Sequence, residues 1–412
     1  MSRKFIAAAC IALIAGSIVF AEGAKETAAA KPSTVTVWFG SWWADQAPKI
    51  IEEYAKVRPN VTLKIETLPI NGYYDKAVAA TLGGTPPDVL ALDAYMIGSM
   101  AGKDLLQPLD AYIKDLDKAD FAKAIWDAGV LNGKVYAIPY RGSAAVVYYN
   151  KTMFDKAGLP YPSKDWTYAD MLEMAKKMTI PGEQYGMGIA ASLSDPSNVM
   201  TYFWPMLMSF GGDFFDKDGK TFILNNAAGV KTITFWSELY TKHKVVPEGT
   251  PNYSTTKDLQ PLFQNNKLAM LYHASQAIDQ FNAVKDLKWG LQVPPQKWTG
   301  GGGWAFTVPT GAPNPEEARN FMFWFVQPDV LSRLTIREPA RLSATTSAPW
   351  NSPEFKVVFE AGKFSRGLPA VSQWAEIQTL AITELQKVLQ QTKTPQQAAD
   401  DITAAANAIM KK

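Results

Sequence analysis

Few groups in this 412-residue chain could act as nucleophile, base or metal ligand. The histidines are His243 and His273, and the single cysteine is Cys10. No His-x-x-x-His pair or cysteine cluster offers zinc a set of ligands, and no helix–loop–helix calcium loop is present. No Gly-x-Ser-x-Gly turn presents a serine. Residues 300–305, Gly-Gly-Gly-Gly-Trp-Ala, fit Gly-x-Gly-x-x-Ala in form. An apolar run and Pro309 follow, where a phosphate-binding helix would have to begin. The glycines are expected instead to make a tight turn that lets backbone approach a ligand closely. No cofactor and no metal is implied. Carboxylates are plentiful, and glycoside hydrolysis needs only two of them at a set separation. Asp45, Asp93 and Asp213 are the ones to suspect for that alternative.

Flat rings are abundant: 13 Trp, 16 Tyr and 20 Phe. Any one of them is explained well enough by core packing. Their placement is more telling. Trp42, Trp43, Tyr95, Tyr140, Trp204, Tyr272, Trp298, Trp304 and Trp374 fall at strand ends, breaks or glycine turns, where a cleft would open. A ring face can stack on the C–H face of a pyranose. Asp93, Arg141 and Arg341 could then fork onto its hydroxyls.

The length calls for two or three domains. Arg3 and Lys4, an apolar run over 5–20 and Val19-Phe20-Ala21 make a secretory signal peptide of residues 1–21. Cys10 lies inside that run, with apolar residues continuing past it, so it is not read as a lipid attachment site. The mature chain would then hold no thiol and no disulfide. Without Arg3 and Lys4, 39 basic residues balance the 39 acidic ones, which gives no footing for nucleic acid or an anionic membrane. Residues 22–34 read as a flexible leader.

From residue 35 the pattern alternates. Residues 35–39, 61–66 and 88–92 read as strands, and 46–57 and 73–82 as the helices between them. That predicts a parallel sheet, with ligand bound beyond the strand ends at 40–43 and 93–95. Asp93 is a natural N-cap for the next helix. Asn314-Pro-Glu-Glu and Thr394-Pro-Gln-Gln read as capping boxes. At the centre, residues 133–151 read as two short strands, 135–138 and 145–149, around a polar break at 140–143. Pro139 should end the first strand.

These pieces stand in a familiar order. Val35-Thr-Val-Trp-Phe39, Gly84-Thr-Pro-Pro-Asp-Val-Leu90, Leu105-Leu-Gln-Pro-Leu-Asp110, Gly133-Lys-Val-Tyr-Ala-Ile-Pro139 and Tyr148-Tyr-Asn-Lys151 come first. Phe154-Asp-Lys-Ala-Gly-Leu159, Trp166, Gly211-Gly-Asp213, Lys267-Leu-Ala-Met270, Gly301-Gly-Gly-Trp304 and Pro339-Ala-Arg341 follow. Together they resemble the extracellular solute-binding proteins of family 1, the sugar-binding components of bacterial ABC importers, maltose-binding proteins among them. The resemblance spans nearly all of the mature chain.

It implies an α/β, two-lobe periplasmic-binding-protein type II fold, each lobe a mostly parallel sheet flanked by helices, joined by a hinge. Lobe one would be 35–141 with 275–327, and lobe two 142–274 with 328–412. The implied protein is a periplasmic monomer with no catalytic activity. It would bind a mono- or oligosaccharide and dock on a membrane permease. A ligand-carrying partner of a sensor or chemoreceptor would look alike.

The ligand positions would be Trp42, Trp43, Asp93, Tyr140, Arg141, Trp204, Tyr272, Gln276, Gly302, Trp304, Arg341 and Trp374. One departure stands out. His273-Ala-Ser-Gln276 replaces the family's frequent Gly-Pro-Trp, trading a ring for an amide, which argues against long maltodextrins. Arg141 and Arg341 leave an acidic sugar or a sugar phosphate open.

Overall fold

A computed structural model describes residues 33–411 apart from 71, 367–370 and 372. The expected signal peptide and residues 22–32 of the leader lie outside the described residues, as does the side chain of Tyr95.

Strand β1 (Ser33–Gly40) buries Val35, Val37 and Phe39 completely. It pairs in parallel with β2 (Val61–Leu68), from Ser33 opposite Val61 to Gly40 opposite Leu68. In β2, Val61 and Leu63 point inward while Thr62 and Lys64 are exposed, the two-residue period of a half-covered strand. Strand β3 (Val89–Asp93) pairs in parallel with the other edge of β1. The helix Ala47–Val57 links β1 to β2, carrying Pro48 in its first turn and burying Ile50 and Tyr54. The helix Tyr73–Leu82 links β2 to β3.

After the small hairpin of β4 (Val130–Leu131) and β5 (Lys134–Val135) comes β6 (Ala137–Asn150). The expected break at 140–143 is absent, and β6 is one strand of 14 residues. Strand β9 (Thr299–Thr307) runs antiparallel beside it, from Ala137 opposite Thr307 to Ala144 opposite Gly301. A bulge between Pro139 and Arg141 absorbs the proline without ending the ladder. The second half of β6 is held on two edges, by β7 (Met270–Ala274) and by β8 (Trp289–Gln292), both antiparallel. Strand β10 (Ser365–Arg366) pairs in parallel with the start of β9. The sheet order is β2-β1-β3-β9-β6-β7. The parallel pattern thus covers the first three strands. The long antiparallel pair β6–β9 ties them to the rest.

Two hydrophobic cores flank that pair. The first packs β1, β3, Tyr140 and Phe306 against the helices Pro315–Phe325 and Pro328–Leu334. The second packs residues 146–149 against the helices Tyr168–Met178, Pro196–Ser209, Ala227–Thr241, Trp374–Leu389 and Pro395–Met410. Among the described residues the chain changes core three times: in β6 between Tyr140 and Ala144, through β9 between Val293 and Trp304, and between Ala344 and Val358. The changeovers expected at 274/275 and 327/328 are not where the packing switches. Phe281 and Leu291 stay in the second core because β8 pairs with β6, and Val330 and Leu334 stay in the first.

The third passage also leans on β6. Gly142 N–H donates to the Glu338 carbonyl at 2.7 Å, and Ala340 N–H to the Tyr140 carbonyl at 3.3 Å. Gly142 therefore sits in a hydrogen-bonded strand rather than a loose joint. Of the two capping boxes, Thr394 with Gln397 forms as read. Asn314 does not cap its helix; its side-chain amide donates to the Thr34 carbonyl at 2.9 Å.

Candidate functional site

The site begins where β1 and β3 end. After Gly40 the chain turns through Ser41–Trp43. The Trp42 indole folds back over the strand end, and a Cβ at Gly40 would run into its ring. Trp42 is 36% exposed, and its ring meets Trp304 edge to face at 4.9 Å. Asp93, the last residue of β3, lies opposite Trp304 in β9, and Trp304 lies opposite Arg141 in β6. Asp93, Trp304 and Arg141 therefore form a row across three strands. Asp93 heads the helix Ala94–Ala101, but its carboxylate does not cap it. Two residues before Trp304 is Gly302, opposite Ser143. A Cβ on Gly302 would meet only Asp93 Oδ1, at 3.8 Å, so the glycine leaves a gap beside the carboxylate. The glycine run is part of a strand, not the tight turn expected. Extended backbone suits it because side chains at Gly301 and Gly303 would strike the carbonyls of Ser143 and Arg141.

The rings of Trp43 and Tyr140 belong to the first core rather than to a cleft wall. Trp43 lies 4.8 Å from Phe39, and Tyr140 stacks on Phe306 at 4.2 Å. Both are fully buried. Their polar atoms are less settled. Trp43 Nε1, the Tyr140 hydroxyl and Arg141 Nε are buried with no hydrogen-bond partner among the described residues. The Trp43 N–H approaches the Tyr140 hydroxyl without reaching hydrogen-bond geometry. Burial holds the Tyr140 hydroxyl far above the usual tyrosine range, so it stays a neutral donor. Burial also lowers the Arg141 guanidinium, opposed by Tyr140, Glu338 and Asp93.

Other expected residues face the second core. The Tyr272 hydroxyl donates to Thr299 Oγ1 at 3.1 Å, with its ring 4.8 Å from Tyr202. Gln276 is half-buried at the head of the helix Ala277–Asn282. Trp204 is buried, and its Nε1 donates to Asp213 Oδ1 at 2.8 Å. Arg366 covers the Trp204 ring and pairs with Asp213 Oδ2 at 2.8 Å. Asp213 is thus engaged in holding Trp204 and Arg366. Trp374 is buried 5.3 Å from Phe214. Arg341 does not serve the site. Its Nε donates to Asp120 Oδ2 at 2.7 Å, its Nη1 to the Val326 carbonyl at 2.9 Å, and its guanidinium lies over Phe121. It pins the first core.

The sequence reading overlooked two residues, Ser143 and Glu338. Ser143 is two positions past Arg141 in one strand, and that spacing places it on the same face. Glu338 precedes Pro339-Ala340-Arg341. It is 3% exposed, and its Oε1 has no hydrogen-bond partner among the described residues. Burial pushes its carboxyl up, and Ser275 and Arg141 pull it back. Beside the β6–β9 pair, next to Gly142, lies a cavity of about 290 Å³ whose wall includes Ser143 and Glu338. Phe121 and Ile125 line it from the first core and Val358 from the second.

Residues 40–330, well over half of the chain, match the model of a family described as bacterial extracellular solute-binding protein. The chain belongs to that family. A putative binding protein of Brucella abortus is 25% identical over 371 residues, covering 86% of this chain and 87% of the relative. The galactooligosaccharide-binding protein of Bacillus subtilis is 24% identical over 411 residues, covering 94% and 93%. Among solved structures, an ABC substrate-binding protein of Listeria monocytogenes in complex with cycloalternan is 26% identical. It superposes with a TM-score of 0.77 over 92% of this chain and 100% of its own. The architecture of this solute-binding protein is therefore the two-lobe α/β fold expected. Within it, the row Asp93–Trp304–Arg141 crosses from the ends of the parallel strands to the passage between the cores.

Proposed function

We propose that this chain is the capture component of a bacterial ABC importer, taking a mono- or oligosaccharide between its two cores and delivering it to a membrane permease. The observation that carries the reading is the row Asp93–Trp304–Arg141, with Trp42 partly exposed against Trp304 and Gly302 leaving room on its floor. An exposed ring beside fixed donors and acceptors is what a pyranose needs: an apolar face to stack on and groups that fork onto hydroxyls. The names of the Bacillus subtilis relative and of the Listeria monocytogenes complex point to the same ligand class.

On this reading the two cores are lobes that close by bending at the three passages, and Tyr272, Gln276, Trp204 and Trp374 line the second lobe's side. Binding proceeds without turnover. Residues 1–21 direct a monomer to the periplasm. Among the described residues no helix is long and apolar enough to cross a membrane. Isothermal titration of the purified mature chain across a panel of neutral mono- and oligosaccharides is expected to find one that binds tightly. Small-angle scattering should show compaction with it. Cleavage of a glycoside, with no stoichiometric binding, would overturn the reading in favour of a hydrolase.

A further inference from the structure

We propose that the cavity walled by Phe121, Ile125, Glu338 and Val358 is a second ligand site, separate from the row, and that it takes a small apolar molecule carrying a hydrogen-bond donor. The site stands whether or not the row binds sugar.

The β6–β9 pair carries different groups on its two faces. Trp304 and Gly302 alternate with Gly303 and Gly301, and Arg141 and Ser143 flank Gly142, so the ladder sends the two sets to opposite sides. On the row's side a Cβ at Gly302 would meet Asp93 Oδ1. On the other side, a Cβ at Gly142 or Gly303 would meet Ile125, and one at Gly301 would meet Ser365. Ile125 and Ser365 both line the cavity, and residues 142–144 make its floor. It therefore lies behind the row, with the backbone of β6 and β9 between them.

Glu338 belongs to the cavity's side. Residues 338–340 run antiparallel to β6, with Pro339 opposite Arg141 and Glu338 opposite Gly142. Opposed residues in a ladder share a face, so the Glu338 side chain points the way a Gly142 side chain would, toward Ile125. Its Oε1, buried and without a hydrogen-bond partner among the described residues, gives a largely apolar wall one open acceptor. Lys123 and Lys363, also on the wall, are exposed and pair with Asp127 and Glu360.

A buried acceptor left open costs free energy until a donor reaches it. An alcohol, phenol or amine supplies that donor. An ether does not, and a carboxylate would set a second acid beside Glu338. An apolar cavity of ~150 Å³ takes up benzene, so one of about 290 Å³ admits a substituted ring. Phe121 and Ile125 belong to the first core and Val358 to the second, so the occupant touches both cores at once.

The test uses the mature chain and three probes: 4-ethylphenol, its methyl ether 4-ethylanisole, and 4-ethylbenzoate. Binding is read by ligand-observed NMR titration, with the folding of each variant checked by thermal melting. The phenol is expected to bind with a Kd of about 1 mM or tighter, the ether about fivefold more weakly, and the benzoate not detectably. Gly362 lines the cavity, and no heavy atom lies within 4 Å of where its Cβ would stand. Gly362→Phe should therefore fill the space and abolish phenol binding. Glu338→Leu should make phenol and ether bind alike, and Trp42→Ala, on the row's side, should leave the phenol unaffected. Loss of phenol binding in Trp42→Ala but not in Gly362→Phe would put the probe in the row and overturn the second site. So would a wild-type chain that binds no phenol, that holds the ether as tightly, or that prefers the benzoate, even if no variant folds.

Discussion

The indole of Trp42 meets that of Trp304 edge to face, with ring centroids 4.9 Å apart and planes at 80°. One ring is 36% exposed and the other 4%. The two partners should therefore respond differently to truncation. Trp42→Ala removes a ring that the core does not need, and stability should change by about 1 kcal/mol or less. Binding of the identified sugar should still fall at least tenfold. Trp304→Ala empties a buried site beside Tyr73 and should cost about 3–5 kcal/mol, besides abolishing binding. Urea melts with paired titrations check both. Equal stability losses would show that Trp42 is a core residue and not a ligand platform.

Neighbouring glycines in β9 offer a second contrast. A methyl at Gly303 would lie 2.6 Å from the Arg141 carbonyl and from Ile125, so backbone must move to admit it. Gly303→Ala is expected to destabilise by about 1–3 kcal/mol, as overpacked sites do. A methyl at Gly302 meets only Asp93 Oδ1, at 3.8 Å. Gly302→Ala should fold with nearly unchanged Tm and bind sugar poorly, because the methyl fills the gap beside Asp93. Melting and titration of both variants test this. If Gly302→Ala binds normally, ligand does not reach the floor of the row.

The first three strands could be read directly from the chain, because β1 and β3 are apolar runs, β2 alternates, and Pro59 and Gly83-Gly84 end the helices between them. The passages between cores could not. Pro139 reads locally as a strand end, and only the ladder with β9, more than 150 residues away, keeps β6 continuous. The glycine run reads as a turn for the same reason: what it avoids is the Ser143 and Arg141 carbonyls, which the sequence does not place beside it. Residue type and position name Asp93, Trp304 and Arg141, the family resemblance adds Gly302, and the register brings them together. Trp43, Tyr140 and Arg341 were named on the same grounds and turned inward. An indole or guanidinium gives no sign of whether Phe39 or Asp120 will reach it first. Glu338 was passed over because a lone acid before a proline has no local signature.

Arg341 supplies a third test. With both side chains 12% exposed, its pair with Asp120 is close to a buried ion pair, and Ser343 adds its backbone N–H to the same carboxylate at 2.7 Å. Removing one partner leaves the other charge uncompensated, which costs about 3–5 kcal/mol when burial is complete. Arg341→Ala should lose about 3 kcal/mol of stability in a denaturant melt while the folded fraction binds sugar with unchanged Kd. Asp120→Asn should behave alike. A large change in Kd without a change in stability would return Arg341 to the ligand site.

His273 gives the pH dependence. It is 1% exposed at the end of β7, beside the segment that ends in Gln276. Its Nδ1 accepts from Ala274 N–H at 2.8 Å, so Nε2 carries the proton and donates to Gln260 Oε1 at 3.1 Å. A second proton would have to sit on Nδ1, where Ala274 already donates, and burial depresses the imidazole from 6.5 to about 4. The unfolded chain takes up that proton near pH 6.5 and the folded chain does not until about pH 4. Stability is therefore fully present above pH 6.5. It falls as pH drops through the window between the two values, by on the order of 3 kcal/mol in all. Carboxylates add their own acid dependence, so the comparison is with His273→Gln, which keeps a neutral donor for Gln260 and cannot titrate. The wild-type advantage over this variant should shrink steadily from pH 7 to pH 4.5 in urea melts. A difference that stays constant across that range would mean that the imidazole is reached by water and titrates as it does in the unfolded chain.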